Sequence, residues 1–197
     1  MKRPWQQGHL DGLCGVYALI NGMRFFEPTI DEEMSLLLFS RLIDGMGEVG
    51  LLPRSLWRGL TASDVCRLLP HLHEFMRMRF GFDLMWERPF RDRNIRTHTF
   101  VQRLRSLLML ERRAVALLAW SDGGACRHWS TAHRVSRQRI YILDSGPDIL
   151  TQLAISHCSV SRRSRARYII EPRNTIIVWS DAKRYASRSK PYACEES

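Results

Sequence analysis

Apolar residues recur at helical spacing in the first half of the chain. After a lead-in over residues 1–13 that is rich in turn-forming residues, the run CGVYALINGMRFF places apolar side chains at Val16 and at three, four and seven residues beyond it. This pattern predicts a helix that begins at or just before Cys14. Pro28 is expected to end it, because proline cannot donate the backbone hydrogen bond that a helix needs.

Three more helices follow from the same periodicity. The second is predicted over 31–43 with Thr29 as its N-cap, and the glycine-containing stretch 44–59 is predicted to be irregular. The third is capped by Thr61 or Ser63 and runs to about residue 80.

Pro70 lies within the third helix and favours a kink or a break there. The fourth helix is predicted over 100–112, where FVQRLRSLLMLER again has helical periodicity.

The second half of the chain changes character. Short runs rich in β-branched and aromatic residues, separated by turn residues, predict strands over 84–86, 114–120, 128–135, 138–143, 168–171 and 175–179. Helices followed by an antiparallel sheet indicate the α+β class. We expect one domain over 1–180 and a basic tail over 181–197 that is poorly ordered.

Composition limits the class of protein. With 197 residues and 45% hydrophobic residues, the chain has the balance of a soluble globular domain, and no apolar run approaches the roughly 20 residues of a membrane span. No apolar core follows the basic residues near Met1, so we expect a cytoplasmic protein, with export by a non-classical route left open. Five scattered cysteines without a CxxC pair argue against a disulfide framework.

The net charge of +10 comes almost entirely from arginine, since only three residues are lysines. One interpretation is a codon bias of a GC-rich genome. The other is an anionic partner, such as nucleic acid, an acidic protein or a membrane surface. The arginines are spread along the chain rather than clustered, which favours the first interpretation.

Cys14 is the first candidate for chemistry. At the first turn of a helix, unpaired N–H groups and the helix dipole favour an anion, and a thiolate is the reactive form of cysteine. Gly12 and Gly15 allow a tight turn and leave room for a substrate carbonyl. The alternative is a small buried residue at a helix start.

The segment HWSTAHRVSRQRIYILDSG supplies two partners for the cysteine. His128 opens one predicted strand and Asp144 ends the next, so antiparallel pairing can bring the aspartate beside the imidazole and support its protonated form. His133 competes for the role of base, but strand alternation puts it on the other face, so only one of the two histidines should face Cys14. Trp129 is either a shield for the histidine–aspartate pair or a core residue.

These residues together resemble a known family. GLCGVYALIN, followed far downstream by HW and LDSG, looks like the papain-like cysteine peptidases, and the close spacing of His128 and Asp144 is most similar to the bacteriocin-processing (C39-like) bacterial peptidases. The resemblance covers about three short stretches. It implies a nucleophile helix packed against an antiparallel sheet, with Cys14, His128 and Asp144 as the catalytic triad.

The resemblance also implies a glutamine in the oxyanion hole, a few residues before the cysteine. Gln7 is the nearer candidate and Gln6 the other, although the family's gap is usually about one residue shorter. Gln7 would act with the backbone N–H of Cys14 on the tetrahedral oxyanion. His9 is an alternative residue for lining the site.

The expected function is a thiol hydrolase that cleaves a peptide, isopeptide or other amide bond through a thioester. Two alternatives stay open: an acyltransferase or amidase with the same triad, and an arginine-rich binding protein with a papain-like fold and no activity. Cys126 and His128 form a C-x-H pair, but no second pair completes a metal site, so neither metal nor cofactor is expected. The expected partner is a peptide or protein substrate.

Overall fold

The computed structural model describes residue 4 and residues 12–91, 94–110, 113–122, 127–146 and 150–180. In these ranges, five α-helices come mostly before the sheet in the sequence. They are α1 (Cys14–Phe26), α2 (Glu32–Glu48), α3 (Arg54–Arg58), α4 (Ala62–Phe80) and α5 (Thr97–Leu110).

Eight strands of the described part of the chain form one sheet. They are β1 (Leu84–Glu87), β2 (Ala114–Ser121), β3 (His128–Val135), β4 (Arg139–Leu143), β5 (Gln152–Ala154), β6 (Cys158–Ser159), β7 (Tyr168–Ile170) and β8 (Ile176–Ser180). The main order is β1-β8-β2-β3-β4-β5, with β7 paired to β2 and β6 paired to β7. The described pairings are antiparallel except for β6 with β7, which is parallel.

The class expected from the sequence, α+β with an antiparallel sheet, is confirmed. The start of α1 at Cys14 and both ends of β3 also agree with the predicted elements. β5 and β6 were not predicted. They have three and two residues, too few for a periodic pattern to appear in the sequence.

The predicted cap of α2 is wrong. Asp31 rather than Thr29 is the N-cap, because its carboxylate accepts a hydrogen bond from the backbone N–H of Met34 at 2.9 Å. The hydroxyl of Thr29 instead donates to Glu27 at 2.7 Å. The helix also continues to Glu48, through a stretch that was expected to be irregular.

At α4, one of the two expected caps is confirmed. Thr61 accepts from the N–H of Asp64 at 3.2 Å, and the Asp64 carboxylate accepts from the N–H of Thr61 at 2.9 Å, which is a capping box. The helix passes through Pro70 and ends at Phe80, and the C-cap Gly81 follows with a left-handed φ of 74°.

The sheet is buried on both faces. Alternate residues of β2 belong to two different cores: Val115 and Leu117 lie on the face covered by α1, while Ala116 and Leu118 lie on the face covered by α5. The helices α2 and α4 pack on each other outside α1. In the described part of the chain, none of the helices has the length and apolarity that a membrane span requires.

Candidate functional site

Cys14 is the first residue of α1, and its side chain is buried, at 6% exposure. Leu13 occupies the N-cap position and makes no capping hydrogen bond through its side chain. No acidic residue lies in the first helical turn. The N–H groups at the start of α1 and the positive end of the helix dipole therefore favour a negative charge on the side chain of the first helical residue.

The two glycines beside Cys14 serve packing. An added Cβ at Gly12 would lie 3.0 Å from the backbone nitrogen of Gly59 and 3.0 Å from the backbone oxygen of Leu56. The N–H of Gly12 donates to that same oxygen at 2.7 Å. Gly15 abuts the side chain of Leu60, 3.1 Å from an added Cβ. The space that a side chain at either glycine would need is thus filled by α3 and the residues after it.

His128, the first residue of β3, links the other two members of the predicted triad. Its Nε2 lies 2.6 Å from Oδ1 of Asp144, just beyond the end of β4. It is also a hydrogen-bond partner of the Cys14 thiol. Because Asp144 occupies Nε2, Nδ1 is the ring nitrogen left for the sulfur. The structure therefore brings Cys14, His128 and Asp144 together.

This environment shifts the acid–base balance of the pair. Burial by itself would lower the pKa of His128, but hydrogen bonds with Asp144 and Cys14, and the attraction of their negative charges, raise that pKa to about 9. Burial by itself would raise the pKa of Asp144, yet hydrogen bonds from His128 and Ser130 and the charge of His128 hold it below its ordinary value. The pair is therefore an imidazolium and a carboxylate at neutral pH.

His133 lies away from Cys14. His128 lies beside Trp120 on the α5 face of the sheet, and His133 lies on the α1 face, at a register irregularity between Ala132 and Arg134. The imidazole of His133 is 5.3 Å from the ring of Phe25, at the opposite end of α1 from the cysteine. Position along the strand, rather than the face alone, thus decides which histidine contacts the thiol.

Two residues in the site were not predicted. The hydroxyl of Ser130, which has 0% exposure, donates to Oδ1 of Asp144 at 2.6 Å and accepts from Nε1 of Trp120 at 2.9 Å. The Trp120 ring also lies edge-on to the His128 ring, with centroids 5.6 Å apart. A signal for Ser130 was present, since it is a polar residue two positions after His128 and hence on the same face of a buried strand.

Trp129 belongs to the core. Its indole N–H donates to the backbone oxygen of Leu60 at 2.9 Å, on the α1 face of the sheet. Of the two alternatives for this residue, packing is the one observed, and Trp120 is the aromatic residue beside the histidine. Gly146 lies against the Asp144 carboxylate, since an added Cβ would lie 3.0 Å from Oδ2 of that residue.

Several predicted site residues lie outside the described part of the chain. These are Gln7, Gln6, His9 and Cys126. Their proposed roles stay predictions. Within the described ranges, no group of three or more histidine, cysteine, aspartate and glutamate side chains is arranged to hold a metal ion.

The other described cysteines are in different surroundings. Burial raises the pKa of Cys66, and the cations Arg88 and Arg91 offset this only in part. Burial alone raises the pKa of Cys158 to about 12. Their thiols are therefore poor nucleophiles at neutral pH, and no imidazole is a hydrogen-bond partner in either shift.

Comparison of the chain with protein-family models, with curated proteins and with solved structures finds no significant match. What the site can do must follow from its own geometry. A thiol at a helix N-terminus, in contact with an imidazolium that is held by a buried carboxylate, has the parts required for nucleophilic attack and for proton transfer to a leaving group.

Proposed function

We propose that this protein is a cysteine-dependent hydrolase that cleaves an amide bond, with Cys14 as nucleophile, His128 as acid and base, and Asp144 as the residue that orients the histidine. The observation that carries the proposal is the contact of His128 with both Cys14 and Asp144, with a 2.6 Å bond to the carboxylate. A nucleophile in contact with its base, and the base in contact with an orienting group, are the usual signature of covalent catalysis.

The arrangement supports placing the fold among the papain-like proteins. A helix that carries the cysteine at its first residue packs on the sheet that carries the histidine and the aspartate. The order Cys14, His128, Asp144 along the chain is the one that the sequence resemblance implies. This assignment is part of the proposal, as is a peptide or isopeptide bond as the one cleaved.

The proposed mechanism uses the groups that meet at the site. The sulfur of Cys14, as the thiolate, attacks the acyl carbon, and the backbone N–H of Cys14 would donate to the resulting oxyanion. As the C–N bond breaks, the imidazolium of His128 gives its Nδ1 proton to the departing amine. His128 then takes a proton from water as the water attacks the thioester, the C–S bond breaks to release the acid, and Cys14 leaves as the thiolate beside the regenerated imidazolium.

The test is labelling with iodoacetamide or an electrophilic peptide probe at pH 7, located by mass spectrometry. We expect modification mainly at Cys14, at least tenfold slower in His128→Ala and abolished at that position in Cys14→Ala. Cys66→Ser is the matched thiol control and His133→Ala the matched histidine control, and both should label Cys14 as the wild type does.

Equal labelling of Cys14 in His128→Ala, or preferred labelling of Cys66 or Cys158, would contradict the proposal. Once a peptide that the protein cleaves has been found, adding an amine acceptor distinguishes hydrolysis from acyl transfer by the same triad. Release of the free acid alone identifies a hydrolase, whereas transfer to the amine identifies an acyltransferase.

A further inference from the structure

We propose that Trp120 and Ser130 are positioning residues that act in series, with the indole N–H of Trp120 setting the direction of the Ser130 hydroxyl and Ser130 holding the Asp144 carboxylate toward His128. This inference rests on the proposed function for its catalytic meaning. The contacts themselves do not depend on it.

The direction of the chain of hydrogen bonds follows from the chemistry of its donors. An indole N–H can only donate, so the 2.9 Å contact makes the Ser130 oxygen an acceptor from Trp120. A serine hydroxyl has one proton, and a carboxylate can only accept. The proton of Ser130 therefore points at Oδ1 of Asp144, 2.6 Å away.

Both donors meet the same carboxylate oxygen. His128 Nε2 and Ser130 Oγ each lie 2.6 Å from Oδ1 of Asp144. The backbone N–H of Leu150 approaches the other oxygen, at 3.4 Å, which is a weaker contact. The Ser130 hydroxyl is thus the short second bond that keeps Oδ1 in the histidine's direction, in a site where Asp144 is only 3% exposed.

Trp120 contacts the triad by two routes. Trp120 and His128 are direct partners in the β2–β3 register, which places their side chains on one face. The indole ring lies edge-on to the imidazole, with an angle of 81° between the rings, while its N–H bonds Ser130. Replacement by phenylalanine would keep an aromatic ring here and remove only the donor.

We call the hydrogen bonds from Trp120 through Ser130 to Asp144 the relay. The relay has a consequence that a purely structural role lacks. Without the N–H of Trp120, the Ser130 hydroxyl loses the donor that fixes its direction, and without Ser130 the carboxylate loses the short hydrogen bond that holds Oδ1 toward His128. Either change weakens the grip of Asp144 on the imidazolium. The pKa of His128 should therefore fall in both variants, most in Ser130→Ala.

The experiment is an NMR titration of the His128 ring protons in a Cys14→Ala background, which removes the thiol. Ser130→Ala and Trp120→Phe should each lower the pKa of His128 by about half a unit or more relative to Cys14→Ala alone. The double variant should match Ser130→Ala, because Trp120 acts through Ser130. Trp57→Phe, at a side chain that is 78% exposed, is the control and should change nothing.

An unchanged His128 pKa in the folded Trp120→Phe protein, or additive shifts in the double variant, would overturn the relay. Trp120→Phe keeps the inference testable if Ser130→Ala does not fold. The rate of Cys14 alkylation against pH in the wild-type background then tests the catalytic meaning. A shifted His128 pKa in a protein whose Cys14 is unreactive would refute the proposed function and leave the relay intact.

Discussion

At the scale of single residues, the buried charge of Asp144 determines which hydrogen bonds the site needs. Asp144 is 3% exposed, and an unpaired carboxylate in that position would be costly. The hydrogen bonds from His128 and Ser130 offset that cost, and the same bonds tie the imidazole in one orientation. The stability of the folded chain and the chemistry of the site therefore depend on the same proton on His128.

This dependence predicts how stability changes with pH. The pKa of His128 is raised from 6.5 to about 9 on folding, so its contribution is fully present below pH 6.5 and is lost as the pH rises through about 9. At about 1.4 kcal/mol per pKa unit, the contribution is on the order of 3 kcal/mol. Urea unfolding at a series of pH values should show the gap in free energy of unfolding between wild type and His128→Gln narrowing over this range.

In the hydrolase that we propose, the same titration should limit activity. Above pH about 9 the neutral imidazole has no proton to give to the leaving amine, so hydrolysis should decline there.

For the stability prediction, a gap in free energy of unfolding between wild type and His128→Gln that is constant from pH 6 to pH 10 would show that the proton on His128 is not held as described.

At the scale of elements, the start of α1 is placed by its contact with the segment that contains α3. Gly12, two residues before Cys14, donates to the backbone oxygen of Leu56, and Trp129 of β3 donates to that of Leu60. This one segment therefore touches both the residues before the cysteine and the strand of the histidine. It fixes the start of α1 relative to the start of β3.

Gly12→Ala tests this contact. The added Cβ would meet two backbone atoms at 3.0 Å, neither of which can turn aside as a side chain can. We expect a loss of about 1–3 kcal/mol in the free energy of unfolding, as for other overpacked sites, and slower alkylation of Cys14. Urea unfolding and the alkylation rate measure the two effects.

Gly47→Ala is the matched control, because an added Cβ there has nothing within 4 Å and the residue lies inside α2. It should be about 0.5–1 kcal/mol more stable, with Cys14 reactivity unchanged. Equal stability and reactivity in wild type and Gly12→Ala would mean that the contact does not position the helix.

For the whole molecule, the sheet joins two apolar cores. Leu19 of α1 and Leu104 of α5 are fully buried on opposite faces, and β2 contributes alternate residues to both cores. Because one sheet is shared, neither core can open without exposing the other's strands. We therefore expect the two layers to unfold together.

Truncation on either face tests this cooperativity. Leu19→Ala and Leu104→Ala should each cost about 2–5 kcal/mol, and each should lower one common urea midpoint seen by circular dichroism and by tryptophan fluorescence. Trp120 and Trp129 lie on opposite faces and report on both layers. Met78→Ala, at a side chain that is 75% exposed, should stay within about 0.5 kcal/mol. Two separate transitions would show two domains.

Predictability from the sequence differed between elements for physical reasons. The continuous apolar run of β2 and the helical stripe of α1 were recognised because burial imposes a period on long segments. The end of α2 was missed because Gly45 indicated a break. In the structure, an added Cβ there would lie 2.9 Å from the His71 ring, so the glycine permits α2 and α4 to approach closely.

The sequence by itself determined the helix that starts at Cys14, the strand that starts at His128 and the position of Asp144 one strand later, since all three follow from local periodicity. Only the tertiary structure decided that the start of α1 meets the start of β3, and that Asp144 accepts a hydrogen bond from Ser130, which in turn accepts one from Trp120. The reason is that these contacts join residues from different elements. Their geometry depends on how helices and sheet pack, which no local pattern records.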